Sequence, residues 1–483
     1  MNAKFKALGV AAAVAAGSFG MSGAVNAQVS AKGLGDLGLV PYYTVQGDWQ
    51  TGVHIINTTN STQVVKFRLR RDTDSADVLD INLIMSPEDE WTGYLTDASG
   101  VLRLMTSDNT CAAPMPTNGG WTAPAINREG AEEGYIEVIG MAQTTNETQV
   151  AAVAALHGAD GTPADCQAVS TNFLISNWTS ASSTNQQSDT AALTGTNTWV
   201  NTTNDALKVS YFIRDVASGI EFGNDAVMIE GFMTGPHMTS QQNGVNAGNV
   251  NGFDHPNLDG ATGETGRYDA VIRAASGLGV SQIINDWSYN TVNGVSTDWV
   301  VTIPGQYLMV DPVFFDDGSA ATRWDYRDIP VTATFSVYDR EERSFTPGGL
   351  VVSPSPAPDS TLLSNEVNVI EWGPASVSAV LNADADNVSR VDPSSSGISA
   401  PSGWASLAVT SDSSHIQIIC DYADPATFSG ASNCSDGGTP GTIAGSGAQP
   451  TNANVPMMGF VAWKRTFATA ERNYGRIIEH SFR

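Results

Sequence analysis

One polar segment has the spacing of a calcium-binding loop. It places Asn382, Asp384 and Asp386 at alternate positions, as an EF-hand loop places its first oxygen ligands. The segment then departs from that motif, because Asn387 replaces the glycine and Pro393 replaces the bidentate glutamate. The sequence therefore predicts either a calcium site or an Asx-rich turn that holds no ion.

Two further acidic clusters allow the same two interpretations. They are Asp72, Asp74 and Asp77, and Asp254, Asn257 and Asp259. Their carboxylate and amide oxygens are hard ligands, which Ca²⁺ prefers. Calcium is the one cofactor that the sequence suggests.

Signatures of enzymatic chemistry are missing from the sequence. It contains neither H-E-x-x-H nor G-x-S-x-G, and its loop histidines His237 and His255 are isolated. A glycosidase needs two carboxylates that face each other across a cleft. The acidic runs here are expected to be solvated turns; they are Glu88-Asp89-Glu90, Glu132-Glu133, Asp316-Asp317 and Glu341-Glu342. We predict a protein that is not an enzyme.

The cysteines indicate a disulfide-bonded, exported chain. There are four, and their spacing fits neither a zinc ribbon nor a haem attachment motif. Three pairings are possible. We favour Cys111 with Cys166 and Cys420 with Cys434, because each bond then closes a loop within one region of the chain.

The N-terminal residues resemble a secretory signal peptide. Lys4 and Lys6 precede an apolar run over residues 7–16, and small residues end at Ala27, where cleavage is expected. No later apolar run reaches the ~18 residues that a transmembrane helix needs. The mature chain is therefore expected outside the cytoplasm, soluble or peripheral.

The charge balance is strongly acidic. The chain has 23 Lys and Arg against 50 Asp and Glu, a formal net charge of −27. Nucleic acid is excluded as a partner, because phosphate binding needs clustered cations. The acidic surface serves solvation, or it recruits divalent cations between molecules.

Residues 33–104 set the fold class. Short runs of alternating apolar and polar residues are separated by Gly, Asn, Asp and Pro turns, which is typical of antiparallel sandwiches. In one run, Val65, Phe67 and Leu69 alternate with three cationic residues, Lys66, Arg68 and Arg70. This alternation predicts one apolar face and one solvated face.

Two short helices are predicted between the strands. One covers residues 150–156 with Asn146 as its N-cap, and the next starts at Thr162-Pro163 and carries Cys166. The predicted fold is all-β: an antiparallel β-sandwich, immunoglobulin-like or jelly-roll-like, with one or two short helices. It forms either one sandwich or two packed sandwich units.

Composition divides the chain into segments. After the signal peptide (1–27), residues 28–346 form a β-sandwich region with a soft boundary near 179–204, where Ser, Thr, Asn and Gln predominate. Residues 347–358 are a Pro-rich linker. Residues 359–483 form a C-terminal β region, which either folds separately or completes the first sandwich.

Several sequence motifs resemble those of a family of secreted surface proteins of Gram-negative bacteria, which includes surface-layer-like coat proteins. The motifs are PYY at 41–43, W-x-T-x-V-x-I-x-N-T at 49–58, the DVLD and SPEDEWTG segment at 77–93, TDWVVTIP at 297–304, EVNVI at 366–370 and the GF, NYG and H residues of 459–480. The similarity spans nearly the whole mature chain. It implies a β-rich fold and export to the extracellular space or the outer surface of a Gram-negative cell, and it supplies no catalytic residues.

Three functions from different classes follow. The first is a structural protein that self-associates at the cell surface as a coat or matrix, bridged by cations. The second is an adhesin or carbohydrate-binding module, in which aromatic residues such as Trp49, Trp91, Trp299 and Trp372 would stack on sugars if they were exposed. The third is a secreted hydrolase whose site has no sequence signature.

Overall fold

The computed structural model describes residues 27–73, 75, 77–172, 199–233, 278–305, 331–345, 361–363, 365–398, 400–409 and 455–482. Within these ranges the chain consists mainly of antiparallel strands that form several packed sheets. The all-β prediction is confirmed.

The N-terminal part forms a two-sheet sandwich. Its strands are β1 (Gln28–Val29), β2 (Leu37–Thr44), β3 (Trp49–Asn57), β4 (Gln63–Arg71), β5 (Asp77–Met85), β6 (Glu90–Asp97), β7 (Leu102–Met105), β8 (Cys111–Ala113), β9 (Gly120–Thr122), β10 (Glu133–Thr144), β11 (Trp199–Val200), β12 (Leu207–Asp215), β13 (Glu221–Asp225) and β14 (Val227–Glu230). Sheet A has the order β1-β14-β2-β10-β4-β5-β8, with β11 paired to β10. Sheet B has the order β13-β12-β3-β6-β7-β9.

The C-terminal part adds two larger sheets and a two-stranded sheet of β15 and β24. Its strands are β15 (Gly279–Val280), β16 (Gln282–Ser288), β17 (Val295–Thr302), β18 (Val331–Asp339), β19 (Ser344–Phe345), β20 (Thr361–Leu363), β21 (Val367–Trp372), β22 (Val388–Val391), β23 (Ser402–Val409), β24 (Val455–Pro456), β25 (Met458–Arg465), β26 (Tyr474–Glu479) and β27 (Ser481–Phe482). Sheet C has the order β22-β21-β17-β25-β26, and sheet D has β19-β18-β23-β16-β27 with β20 beside β18. Strands from both sides of residues 346–360 therefore share the same sheets.

Sheet C is buried on both of its faces. Val300 and Phe460 belong to the core that fills the sandwich of sheets A and B. The alternate residues Trp299 and Val461 belong to a second core against sheet D, where the ring centroids of Trp299 and Phe335 of β18 lie 6.1 Å apart. Because side chains alternate along a strand, one sheet joins both cores. The N-terminal and C-terminal parts are thus packed into one continuous stack.

Two short helices cover one end of the outer face of sheet A. They are α1 (Val150–Ala155) and α2 (Cys166–Asn172), and they pack with Val64 and Ile84 around a disulfide. The predicted Cys111–Cys166 bond is confirmed, with Cα atoms 4.9 Å apart. The predicted Asn146 cap is wrong, because Gln149 occupies the N-cap position and the Asn146 side chain instead accepts hydrogen bonds from Thr148.

The solvated face predicted for β4 is also wrong. Its cationic side chains are buried, and they form ion pairs with carboxylates of the neighbouring strands. The pairs are Lys66 Nζ with Asp80 Oδ1 (3.0 Å), Arg68 Nη2 with Asp80 Oδ2 (2.5 Å), Arg70 Nη1 with Asp77 Oδ1 (2.7 Å) and Arg70 Nε with Glu137 Oε1 (3.1 Å). We call these residues the buried ion network.

Some sequence predictions concern residues outside the described ranges. These residues are the signal segment up to 26, the boundary at 179–198, the Pro-rich stretch 347–358, Asp74, His237, Asp254, His255, Asn257, Asp259, Asp316, Asp317, Cys420 and Cys434. Across the described part of the chain, no helix is long and apolar enough to cross a membrane.

The buried ion network gives a first prediction. Asp80→Asn removes the carboxylate charge that Lys66 and Arg68 share, and two buried cations then lack that counter-charge. Breaking a buried pair in this way costs roughly 3–5 kcal/mol of unfolding free energy. Urea denaturation monitored by tryptophan fluorescence measures the change.

The matched control is Asp225→Asn. Asp225 pairs with Lys208 on the surface, where both side chains are 42% or more exposed. We expect a change below about 1 kcal/mol, since exposed pairs contribute little. Equal effects of the two substitutions would contradict a special role for the buried network.

Candidate functional site

Buried polar side chains meet where the first sandwich contacts sheet C. Asp72 lies in the turn after β4, Glu133 is the first residue of β10, and Asn387 directly precedes β22. We call these three residues the carboxylate junction. All three are buried, so their charges and hydrogen-bonding groups must be satisfied by one another or by their neighbours.

Local backbone geometry brings the two acids together. The amide of Asp72 donates to the carbonyl of Glu133 (3.2 Å), as a continuation of the pairing between β4 and β10. Gly134 permits this approach, because a Cβ atom there would lie 1.8 Å from the carbonyl oxygen of Arg70. Strand β21 of sheet C begins at the same point, since the amide of its first residue, Val367, donates to the Asp72 carbonyl (2.9 Å).

Asn387 bridges the two carboxylates. Its Nδ2 group donates to Asp72 Oδ2 and to Glu133 Oε2, the latter at 3.0 Å. The backbone amide of Asp384 donates to the other Glu133 oxygen (3.1 Å), and Asn365 Nδ2 donates to Asn387 Oδ1 (2.5 Å). The C-terminal part of the chain thus supplies the donors, and the N-terminal part supplies the acceptors.

Burial changes the acidity of both acids. Desolvation, with the charge of Asp72 as a further cause, raises the pKa of Glu133 to about 8 from the ordinary 4.5. Desolvation likewise raises the pKa of Asp72 to about 6, although the hydrogen bond from Asn387 opposes this. Near neutral pH the pair therefore holds a proton, and it can release that proton as the pH rises.

The structure brings two of the predicted calcium clusters close to each other. Asp72 belongs to the junction, and the loop with Asn382, Asp384 and Asp386 runs directly into Asn387. In that loop the three predicted ligands are exposed, and Asp384 Oδ1 accepts a hydrogen bond from the Asp386 amide (2.9 Å), as in an Asx turn. Their side chains are available to an ion from solvent.

Asp77, the other described residue of the Asp72 cluster, has a different partner. Asp77 pairs with Arg70 at 2.7 Å and lies 3.6 Å from Arg68 Nε. In the ranges that the structure describes, no three acidic, His or Cys side chains converge as a metal site. A calcium site at the exposed loop stays a prediction.

A serine, a histidine and an asparagine also meet, at the turn between β5 and β6. His157 Nδ1 lies 3.1 Å from Ser86 Oγ, and His157 Nε2 lies 3.0 Å from Asn109 Oδ1. A nucleophile, a base and an orienting group have this order in hydrolases. Ser86 is only 3% exposed, however, and the contacts attach the turn to the helical segment near the disulfide. We assign these residues a structural role.

Aromatic residues are exposed on the outer face of sheet B. Phe212 and Tyr94 lie on either side of Gly52 in register, and they are 40% and 41% exposed. A Cβ atom on Gly52 would lie 2.0 Å from the Phe212 ring, so this ring lies over the glycine. The four tryptophans considered for sugar stacking, Trp49, Trp91, Trp299 and Trp372, are all buried in the cores.

Glu133 is the residue that sequence reasoning missed. The pair Glu132-Glu133 was expected to be a solvated turn, but Glu133 is 1% exposed and opens a strand that is buried along nearly its whole length. The apolar run after it, from residue 134 to 141, was the available signal. An acid at the start of such a strand can be buried with it.

The junction predicts a pH-dependent stability. Between the pKa of the unfolded chain and the raised pKa in the fold, the folded protein holds a proton that the unfolded chain has lost. The unfolding free energy should therefore fall as the pH rises from about 4.5 towards 8. Glu133→Gln should flatten this fall, which is worth roughly 1.4 kcal/mol for each pKa unit.

Urea unfolding at pH 5, 6.5 and 8 measures the slope. Glu132→Gln is the matched control, because Glu132 is only half-buried and lies outside the junction. It should keep the wild-type slope. A Glu133→Gln protein with an unchanged slope would show that the junction does not hold the proton.

No protein-family model, curated protein or solved structure matches this chain. Its function is therefore inferred from the fold, the carboxylate junction and the exposed surfaces.

Proposed function

We propose that this protein is a non-enzymatic structural component of the bacterial cell surface. In this proposal it is exported and associates with copies of itself as a coat or matrix. The continuous packing of the two halves of the chain is the observation that carries the proposal. An ordered layer needs subunits whose contact surfaces are held at fixed distances from one another.

Sheet C provides this rigidity. Its residues Val300 and Phe460 lie in one core, and Trp299 and Val461 lie in the other. A hinge between the halves would have to separate a close-packed core, and it would also break the hydrogen bonds of Asn387 at the carboxylate junction. The folded chain is therefore suited to transmit load between neighbours without bending.

Surface charge supports a role for divalent cations in the assembly. The formal net charge is −27, so copies repel one another in water of low ionic strength. Asp384 and Asp386 expose their carboxylates at the surface, where a cation could be shared with a second copy. Calcium would then replace repulsion by coordination at this loop.

Electron microscopy of the mature protein tests the proposal. We expect ordered sheets or filaments after dialysis into millimolar calcium, and dispersed particles after dialysis into chelator. The double variant Asp384→Asn/Asp386→Asn should assemble poorly, because it retains the shape of the loop and loses its charge. Asp205→Asn, at another exposed acid, should assemble as the wild type does. Dispersed particles in every condition would contradict the coat.

Carbohydrate binding is the second candidate function, and the outer face of sheet B favours it. Phe212 and Tyr94 present exposed rings on a sheet face, and the polar side chains of Gln50 and Thr96 lie beside them, with Gln50 Nε2 3.3 Å from Thr96 Oγ1. Rings at a sheet surface can stack on pyranose faces, while the polar groups bind hydroxyls.

Glycan arrays and co-sedimentation with insoluble polysaccharide test this second function. Phe212→Ala and Tyr94→Ala should each weaken binding several-fold, because each removes one stacking surface. Val292→Ala is the control, since Val292 is 92% exposed and lies in the C-terminal part. An array without hits, or equal losses in all three variants, would remove the candidate.

A further inference from the structure

A cleft opens at one edge of the first sandwich. Strand β8 pairs only with Asn82, Leu83 and Ile84 of β5, so the earlier part of β5 borders a space that β8 does not fill. The cleft has a volume of about 660 Å³ and lies between β5, β7, β9 and the segment before β10. This volume is within the range of small-molecule sites in proteins, roughly 300–1,000 Å³.

Two guanidinium groups line this cleft. Arg103 Nη2 donates to the carbonyls of Thr117 (3.4 Å) and Asn118 (3.2 Å), and Arg128 Nε donates to the carbonyl of Ala123 (2.8 Å). These bonds to neutral oxygens fix the two side chains. Within the described ranges, no carboxylate compensates either positive charge.

Arg103 also has a buried group without a partner. Its Nε atom is shielded from solvent, and no acceptor among the described residues forms a hydrogen bond with it. Neither Arg103 nor Arg128 forms an ion pair with an acid in the described ranges. A buried donor without a hydrogen-bond partner costs free energy, so the guanidinium group of Arg103 is incompletely bonded in the wall of the cleft.

The composition of the chain makes these two arginines unusual. Acids outnumber bases by 50 to 23. Asp80 also lines the cleft, but its two oxygens are bound by Lys66 (3.0 Å) and Arg68 (2.5 Å). Its charge is therefore already neutralised, and the cleft presents a positive site within a negative protein.

The other walls are largely apolar. Leu79, Ile81, Pro114, Met115 and Trp121 line the cleft, and the Trp121 Nε1 group is already bound to the Pro114 carbonyl (2.8 Å). Met115 is 39% exposed, so an apolar surface is open to solvent at the entrance. A ligand must therefore combine an anionic group with an apolar body.

We propose that this cleft binds a monocarboxylate with an apolar body. The carboxylate accepts hydrogen bonds from the guanidinium groups of Arg103 and Arg128, and the body packs on Leu79, Met115 and Trp121. A monoanion fits better than a phosphate dianion, because the remaining field of the protein is repulsive to anions. This site is independent of the coat and of the aromatic face of sheet B.

Isothermal titration of the full mature chain with octanoate tests the site. Octanol has the same apolar body without the charge, and inorganic phosphate has the charge without the body. We expect octanoate to bind at least tenfold more tightly than either probe. Arg128→Gln and Arg103→Gln should each weaken octanoate binding at least about tenfold, since a charge-assisted hydrogen bond is lost. Arg214→Gln, at an exposed arginine on another strand of sheet B, should change nothing.

A second pair of variants leaves the arginines in place. Met115→Glu adds a negative charge at the entrance and should weaken octanoate binding, whereas Met115→Gln has nearly the same shape and should not. Equal binding of octanoate and octanol would overturn the proposal, since the arginines would then have no role. Tighter binding of phosphate would overturn it in favour of a phosphate site, and absence of octanoate binding would overturn it outright.

Discussion

The whole architecture depends on hiding a charged sheet face from water. The outer face of sheet A carries Lys66, Arg68 and Arg70, which would ordinarily remain solvated, and it is nevertheless covered. Removing such charges from water costs several kcal/mol per ion unless carboxylates lie close by. Asp77, Asp80 and Glu137 on the adjoining strands satisfy this requirement. The register of sheet A is fixed by it as well, because a shift by one residue would turn every one of these charges into the apolar core.

Burial raises the pKa of an acid such as Glu133, and it lowers the pKa of a buried histidine. In the second core the pKa of His480 is lowered to about 4 by desolvation, and its Nε2 donates to the carbonyl of Val300 (2.9 Å). The unfolded chain binds the proton more readily, so this histidine reduces stability as the pH falls from 6.5 towards 4. Glu133 reduces stability as the pH rises from 4.5 towards 8. A fall in pH thus destabilises the second core at His480, and a rise in pH destabilises the carboxylate junction at Glu133.

Much of the fold could be predicted, because its signals are local. The alternation of Val65, Phe67 and Leu69 gave β4, and the spacing of Cys111 and Cys166 gave the disulfide. The carboxylate junction could not be predicted in this way. Its members Asp72 and Asn387 are 315 residues apart, and nothing near either of them indicates the other. The prediction of a solvated cationic face failed for the same reason. Whether a sheet face is covered depends on parts of the chain that are distant in sequence.

The charged face of sheet A also matters while the chain is being synthesised. During synthesis the N-terminal sandwich emerges first, and its outer face can stay hydrated, because its cations and acids belong to the same sheet. A purely apolar face at this stage would attract other nascent chains. The donors of Asn387 and most strands of sheet C are synthesised later, and they join the sandwich at the carboxylate junction. Because its charges pair within one sheet, this face is less prone to aggregate than an apolar face would be before the C-terminal strands are made.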